Sequence, residues 1–168
     1  LLLCFFLSGC SPGGASGKTE LYTPGKTSVL VPEASGEETL GGDPLLMDIS
    51  NRNQGYCMAL LNEEGKKAAI QIIGPDGVTY KYFLEEAGVY AVFPLTAGDG
   101  DYLILAYENV GGDQYASLFS QSITVELDNE FLPFLYPNQY VDFTEASEAV
   151  SLAAQLSADA ETDLDALT

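Results

Sequence analysis

Ala68-Ala69-Ile70-Gln71-Ile72-Ile73, Gly74-Pro75-Asp76-Gly77 and Val78-Thr79-Tyr80-Lys81-Tyr82-Phe83-Leu84 form the continuous stretch whose reading decides the fold. Two short apolar-rich runs flank a tetrapeptide in which proline and glycine stand where a tight reversal needs them. The spacing predicts two strands, over 68–73 and 78–84, joined by a turn.

Outward from this pair, short strands recur at regular spacing, over 45–49, 56–61, 89–93, 101–107, 115–120 and 123–127. The last alternates cleanly, with Ile123, Val125 and Leu127 on one face and Ser122, Thr124 and Glu126 on the other. Turn signals every 8–12 residues or so, with no helical period between them, argue a two-sheet sandwich. The expectation is a mainly β chain: an immunoglobulin-like antiparallel β-sandwich over 45–128 with a C-terminal helical extension. The run from Leu95 to Leu105 resembles the turn before a late strand of such folds. A tyrosine near the strand start, here Tyr102, bonds back to the preceding loop in them. Many unrelated sandwiches share that device, so it speaks to fold alone.

Beyond the sandwich, residues 129–168 read as a connector and the start of a helical region. The apolar, proline-broken run 131–141 is expected to pack in extended form. Thr144 is placed as a helix cap, with Glu145 and Glu148 in the first turn and Ala149, Leu152, Ala153 and Leu156 at helical spacing. Thr162 and Asp165 read as a second N-cap signal six residues before the end. A helix that begins there and stops reads as truncated.

Ahead of the sandwich, residues 1–10 carry the apolar run Leu-Leu-Leu-Cys-Phe-Phe-Leu followed by Ser8-Gly9-Cys10. This has the form of a secretory signal core ending in small residues at a cleavage point. It is far too short to span a bilayer as a helix. No methionine or basic segment precedes Leu1, which reads as a truncated start. Leu7-Ser8-Gly9-Cys10 resembles the lipobox of bacterial lipoproteins, in which cleavage leaves the cysteine as an acylated N-terminus. The resemblance implies that Cys10 is lipidated and that the chain sits on the extracellular face of the bacterial cytoplasmic membrane through that anchor. Acyl chains hold by about 0.8 kcal/mol per buried methylene. Residues 11–44 are rich in Ser, Gly and Pro, with few bulky apolar residues apart from Val29-Leu30-Val31. They are expected to form a flexible tether with a root-mean-square reach of about 30 Å.

Composition narrows the function. With 25 acidic against 6 basic residues the net charge is −19, which repels phosphate backbones and excludes nucleic acid as a partner on Coulomb grounds. Anionic headgroups are repelled as well, so membrane attachment requires the lipid anchor. Histidine is absent, which removes the usual thiolate-activating base. Cys57, lying among apolar residues, therefore reads as an inert core thiol, and Cys4 and Cys10 flank the cleavage point rather than forming a disulfide framework. No phosphate loop, metal-ligand cluster or dinucleotide fingerprint is present, so no cofactor and no catalytic residue is assigned.

Gly74-Pro-Asp-Gly-Val-Thr-Tyr-Lys-Tyr, Phe93-Pro-Leu-Thr-Ala-Gly-Asp-Gly-Asp-Tyr, Tyr107-Glu-Asn and Pro133-Phe-Leu-Tyr-Pro-Asn-Gln-Tyr-Val resemble the N-terminal region of Firmicutes lipoproteins that carry a transglutaminase-like domain. The likeness covers roughly residues 47–167. It implies that a papain-like core with a Cys-His-Asp triad follows a helical lead-in, acting as a protease, an amidase or on wall-linked substrates. No residue of this chain matches a triad position. The expected role is thus a non-catalytic spacer of a surface lipoprotein. The alternative is a binding module for cell-wall, glycan or protein ligands.

Two further sets of residues have the composition of binding sites. Asp99-Gly100-Asp101, with Glu108 or Asp113, could hold calcium in acidic turns, though Asp-Gly is ordinary turn chemistry. Tyr80 and Tyr82 share a strand face, with Tyr90, Tyr107 and Tyr115 near in sequence, and could form a sugar platform or simply cover a sheet.

Overall fold

The 74–77 turn forms as read: the Gly77 amide donates to the Gly74 carbonyl at 2.9 Å, and the Gly74 amide to that of Val78 at 3.0 Å. Asp76 Oδ1 accepts the Val78 amide, and Gly77 sits at φ 77°, a left-handed conformation that glycine adopts without a Cβ penalty. In the computed structural model, which describes residues 29–159, that turn joins two of eight strands.

In chain order the strands are β1 (Thr39–Gly41), β2 (Leu45–Asp48), β3 (Tyr56–Leu61), β4 (Ala68–Ile73), β5 (Thr79–Leu84), β6 (Tyr90–Pro94), β7 (Gly100–Gly111) and β8 (Gln114–Val125). They form two antiparallel four-stranded sheets, ordered β1-β2-β3-β6 and β5-β4-β7-β8. The chain crosses from one sheet to the other after β3, back for β6, and over again for β7. This is the crossing pattern of immunoglobulin-like sandwiches. A short helix, α1 (Glu148–Leu156), follows near the C-terminus.

Period-two alternation builds the core. Leu45, Met47 and Ile49 with Cys57, Ala59, Leu61 and Phe93 face inward from the first sheet. Ile70, Ile72, Tyr82, Leu84, Tyr102, Ile104, Ala106, Ile123 and Val125 meet them from the second. Tyr102 is buried, and its hydroxyl donates to the Gly98 carbonyl at 2.9 Å, the corner bond expected from the sequence.

Four details differ from the sequence reading. Residues 115–120 and 123–127 are not two strands: 114–125 run on as β8 beside β7, with register shifts absorbing the extra length. An additional strand, β1, lies within the segment expected to be tether. It pairs with β2 because Leu40 has core to pack against and the Asp48 carboxylate accepts the Gly36 amide. The connector is not extended throughout. Leu132–Phe134 is a 3-10 turn that seats Pro133 against Gly55. Finally, the helix is capped at Ser147 rather than Thr144. The Ser147 amide donates to the Thr144 carbonyl and the Ser147 hydroxyl accepts the Thr144 amide, so a closed turn takes up the expected first residues. The second N-cap signal, at Thr162, lies outside the described residues.

Candidate functional site

Cys10 and most of the expected tether lie outside the described residues. The other candidate positions are placed, and the structure separates them more than it gathers them.

Cys57 is buried on β3, its thiol directed at the Phe93 carbonyl 3.7 Å away. Burial, with a smaller contribution from the Asp48 carboxylate, pushes the thiol well above its ordinary range. It is therefore a neutral packing group, without the thiolate that nucleophilic chemistry needs.

The acidic residues proposed for calcium are spread out and already engaged. Asp99 Oδ1 accepts the Leu127 amide at 2.7 Å, and Asp101 Oδ1 accepts the Thr124 hydroxyl at 2.7 Å. Glu108 is ion-paired with Lys66. Asp101 and Glu108 both lie on β7, seven residues apart, so about 23 Å of strand separates their backbones. Among the described residues no group of three or more acidic or cysteine side chains is arranged to hold a metal ion.

The tyrosines divide between core and surface. Tyr82 lies between the sheets, its ring centroid 4.7 Å from that of Phe93. Tyr90 joins a cluster on the far face of the other sheet, and Tyr107 is half-buried. Tyr80 and Tyr115 are exposed. Phe83, which sequence reasoning did not single out, is also exposed and has Tyr115 at 6.3 Å and the Lys81 ammonium 5.0 Å above its ring. Its signal was available: Phe83 is out of phase with the inward-facing Tyr82 and Leu84 of the same strand.

The most elaborately built surface is the outer face of β1-β2-β3-β6. Tyr56, Met58 and Val92 point outward there, yet they are buried under Tyr136 and Leu132 from the connector and Leu30 and Ala34 from the N-terminal side. The Tyr136 hydroxyl donates to Gln54 Oε1 at 2.8 Å. On the other flank Asn51 Nδ2 donates to the Glu33 carbonyl at 2.7 Å, and the Glu33 amide donates to the Tyr56 hydroxyl at 3.2 Å. Asp48 Oδ2 accepts the Gly36 amide at 2.6 Å while Oδ1 accepts that of Ser50 at 2.9 Å. Burial alone would raise the Asp48 pKa, but these bonds to Ser50 and Gly36 outweigh it and hold the carboxyl below its usual value. A cleft of about 480 Å³ lies where the flanks adjoin, its apolar lining supplied by Val29, Val31, Pro137, Phe143 and Ala146. The sequence signal for this face is the nearly unbroken apolar run Tyr56 to Leu61, since a strand covered on both faces loses its alternation.

No family model, curated protein or solved structure matches the chain.

Proposed function

We propose that this chain is the non-catalytic spacer of a lipid-anchored extracellular bacterial lipoprotein, a rigid sandwich between a tether acylated at Cys10 and a following transglutaminase-like region. The observation that supports this reading is the docking of both flanks on one face. Residues 30–36 approach the outer face of β1-β2-β3-β6, residues 132–136 leave across it, and side chains from both segments pack there, Leu30 and Ala34 partly buried and Tyr136 buried. A module that clamps its entering and leaving chain sets the geometry between whatever the two segments carry. The buried, neutral Cys57 leaves the sandwich a supporting role in any thiol chemistry.

The test is metabolic labelling with an alkyne fatty acid in a Gram-positive host, followed by fractionation. The wild-type chain is expected to carry label and sediment with membranes, and Cys10→Ser to lose both. Equal labelling of the two, or an unlabelled wild-type chain in the soluble fraction, sinks the lipoprotein reading. A coding sequence running past Thr168 to a cysteine, then a histidine and an aspartate, would support the enzyme-linked role; a nearby stop codon would overturn it.

One observation favours the binding-module alternative: Phe83 and Tyr115 stay exposed on the outer face of β5-β4-β7-β8. Purified cell wall that pulls down the wild-type chain but not Phe83→Ala/Tyr115→Ala would establish it, and equal retention of both would dismiss it.

A further inference from the structure

Among the described residues the sandwich has four edge strands, and three are protected. β1 is three residues long and is preceded by Glu37 and Glu38. β6 is five residues long and ends at Pro94. β5 carries Lys81, is followed by Glu85 and Glu86, and has Tyr140 packed on its Tyr82 with ring centroids 5.7 Å apart. Short length, charge, proline and cover are the usual devices that stop an edge from recruiting a further strand. Among the described residues β8 is covered only in part, where the Phe119 ring lies against Gly41 of β1 and where Arg52 reaches Thr124, and it lacks the other three devices along its length. Its 12 residues, Gln114-Tyr-Ala-Ser-Leu-Phe-Ser-Gln-Ser-Ile-Thr-Val125, contain no charge and no proline, in a chain of net charge −19.

Two side chains show which backbone groups point away from β7. Arg52 Nε donates to the Thr124 carbonyl at 3.0 Å, and Gln121 Nε2 donates to that of Ser122 at 3.4 Å. Thr124, Ser122 and Ser120 pair with Asp101, Leu103 and Leu105, the same phase of the antiparallel ladder, so Ser120 shares the outward orientation. The edge thus offers a row of backbone donors and acceptors, and at one end it has already taken up a guanidinium from its own chain.

We propose that β8 binds an extended basic peptide segment of another protein by strand addition, lengthening the β5-β4-β7-β8 sheet. Charge selects this occupant. Antiparallel self-pairing about the middle of β8 would set Asp113 of one copy against Glu126 of the other at both ends, which like-charge repulsion opposes. A partner strand with basic residues at its ends instead meets Asp113 on one side and Glu126 and Asp128 on the other, drawn in by the negative field of the whole chain. Backbone bonds supply the affinity in this mode, and the small Ser120, Ser122 and Thr124 side chains leave the partner's sequence loosely constrained. The proposal stands apart from the spacer reading.

The probe is a synthetic peptide of alternating threonine and valine with a lysine pair at each end, added to the full chain. Hydrogen exchange is expected to slow at the amides of Ser120, Ser122 and Thr124, and fluorescence anisotropy to show binding that weakens with salt. Ser120→Pro, which removes an outward donor and no bond to β7, should weaken binding about tenfold. Ser120→Lys keeps the backbone and should weaken it by charge, which guards against a Ser120→Pro chain that misfolds. Equal binding by Ser120→Lys, equal binding of a peptide with glutamate ends, or protection elsewhere in the chain would overturn the proposal. So would a dimer that protects the same amides with no peptide present.

Discussion

The rings of Tyr56 and Tyr136, 80 positions apart in sequence, meet with centroids 4.5 Å apart and planes inclined at 50°. One is on a central strand and the other on the segment that leaves the sandwich, so the pair fastens the connector to the sheet. Tilted aromatic pairs of this kind contribute about 0.5–1.5 kcal/mol beyond the area they bury.

Tyr136→Ala removes the ring contact and the bond to Gln54 and is expected to cost about 2 kcal/mol. Tyr136→Phe, which loses only the hydrogen bond, should cost about 1 kcal/mol. Urea denaturation gives the ordering. Exchange at residues 132–136 should rise more than in the core strands, and a uniform rise across the sandwich would show that the connector is not a separable element.

Gly55 has φ 86°, and a Cβ there would fall 2.4 Å from Pro133 Cγ. Gly55→Ala therefore meets both backbone strain and a clash, and should destabilise by more than about 1 kcal/mol, a melting-temperature drop of roughly 4–8 °C for each kcal/mol. Pro133→Ala relieves only the clash, so the double variant should recover part of the loss. Strict additivity would place the whole cost in the backbone of Gly55.

Asp48 makes stability depend on pH in the acid range. Its carboxyl is held below the usual value of 3.8, so its contribution is fully present above that value and is lost as pH falls through the lower folded-state value. Asp48→Asn should remove this dependence and be less stable at neutral pH. Thermal melts from neutral to strongly acidic pH check it, and parallel curves for the two proteins would refute the assignment.

Tyr102 contributes to the alkaline limit alongside Tyr82 and Cys57, which burial also pushes up. Burial pushes the Tyr102 hydroxyl up to about 12, from an ordinary 10. The folded state prefers the neutral phenol, so the stability it confers is complete below pH 10 and is lost as pH rises towards 12. Tyr102→Phe should lower stability at neutral pH by about 1 kcal/mol through loss of the Gly98 bond, yet flatten the alkaline decline. Phenolate absorbance followed alongside circular dichroism measures both. A Tyr102→Phe curve as steep as the wild type would assign the decline to other groups.

Much of this molecule follows from local pattern. The 74–77 turn, the inward alternation of Ile123 and Val125, the corner bond of Tyr102 and the core placement of Cys57 each depend on a few neighbouring residues whose geometry is dictated by backbone sterics and by a period of two. The folding of 131–141, the strand at 39–41 and the engagement of Asp99 and Asp101 were not legible in the same way. Each depends on a partner brought near only by the crossings between sheets: Gly55 under Pro133, Asp48 beside Gly36, Leu127 and Thr124 beside the two aspartates. The sequence by itself determined that a two-sheet sandwich forms, because alternation and turn chemistry are local. Only the tertiary structure decided which face the flanks cover and which strands lie at the sheet edges, because burial and strand order depend on contacts between residues far apart in the chain.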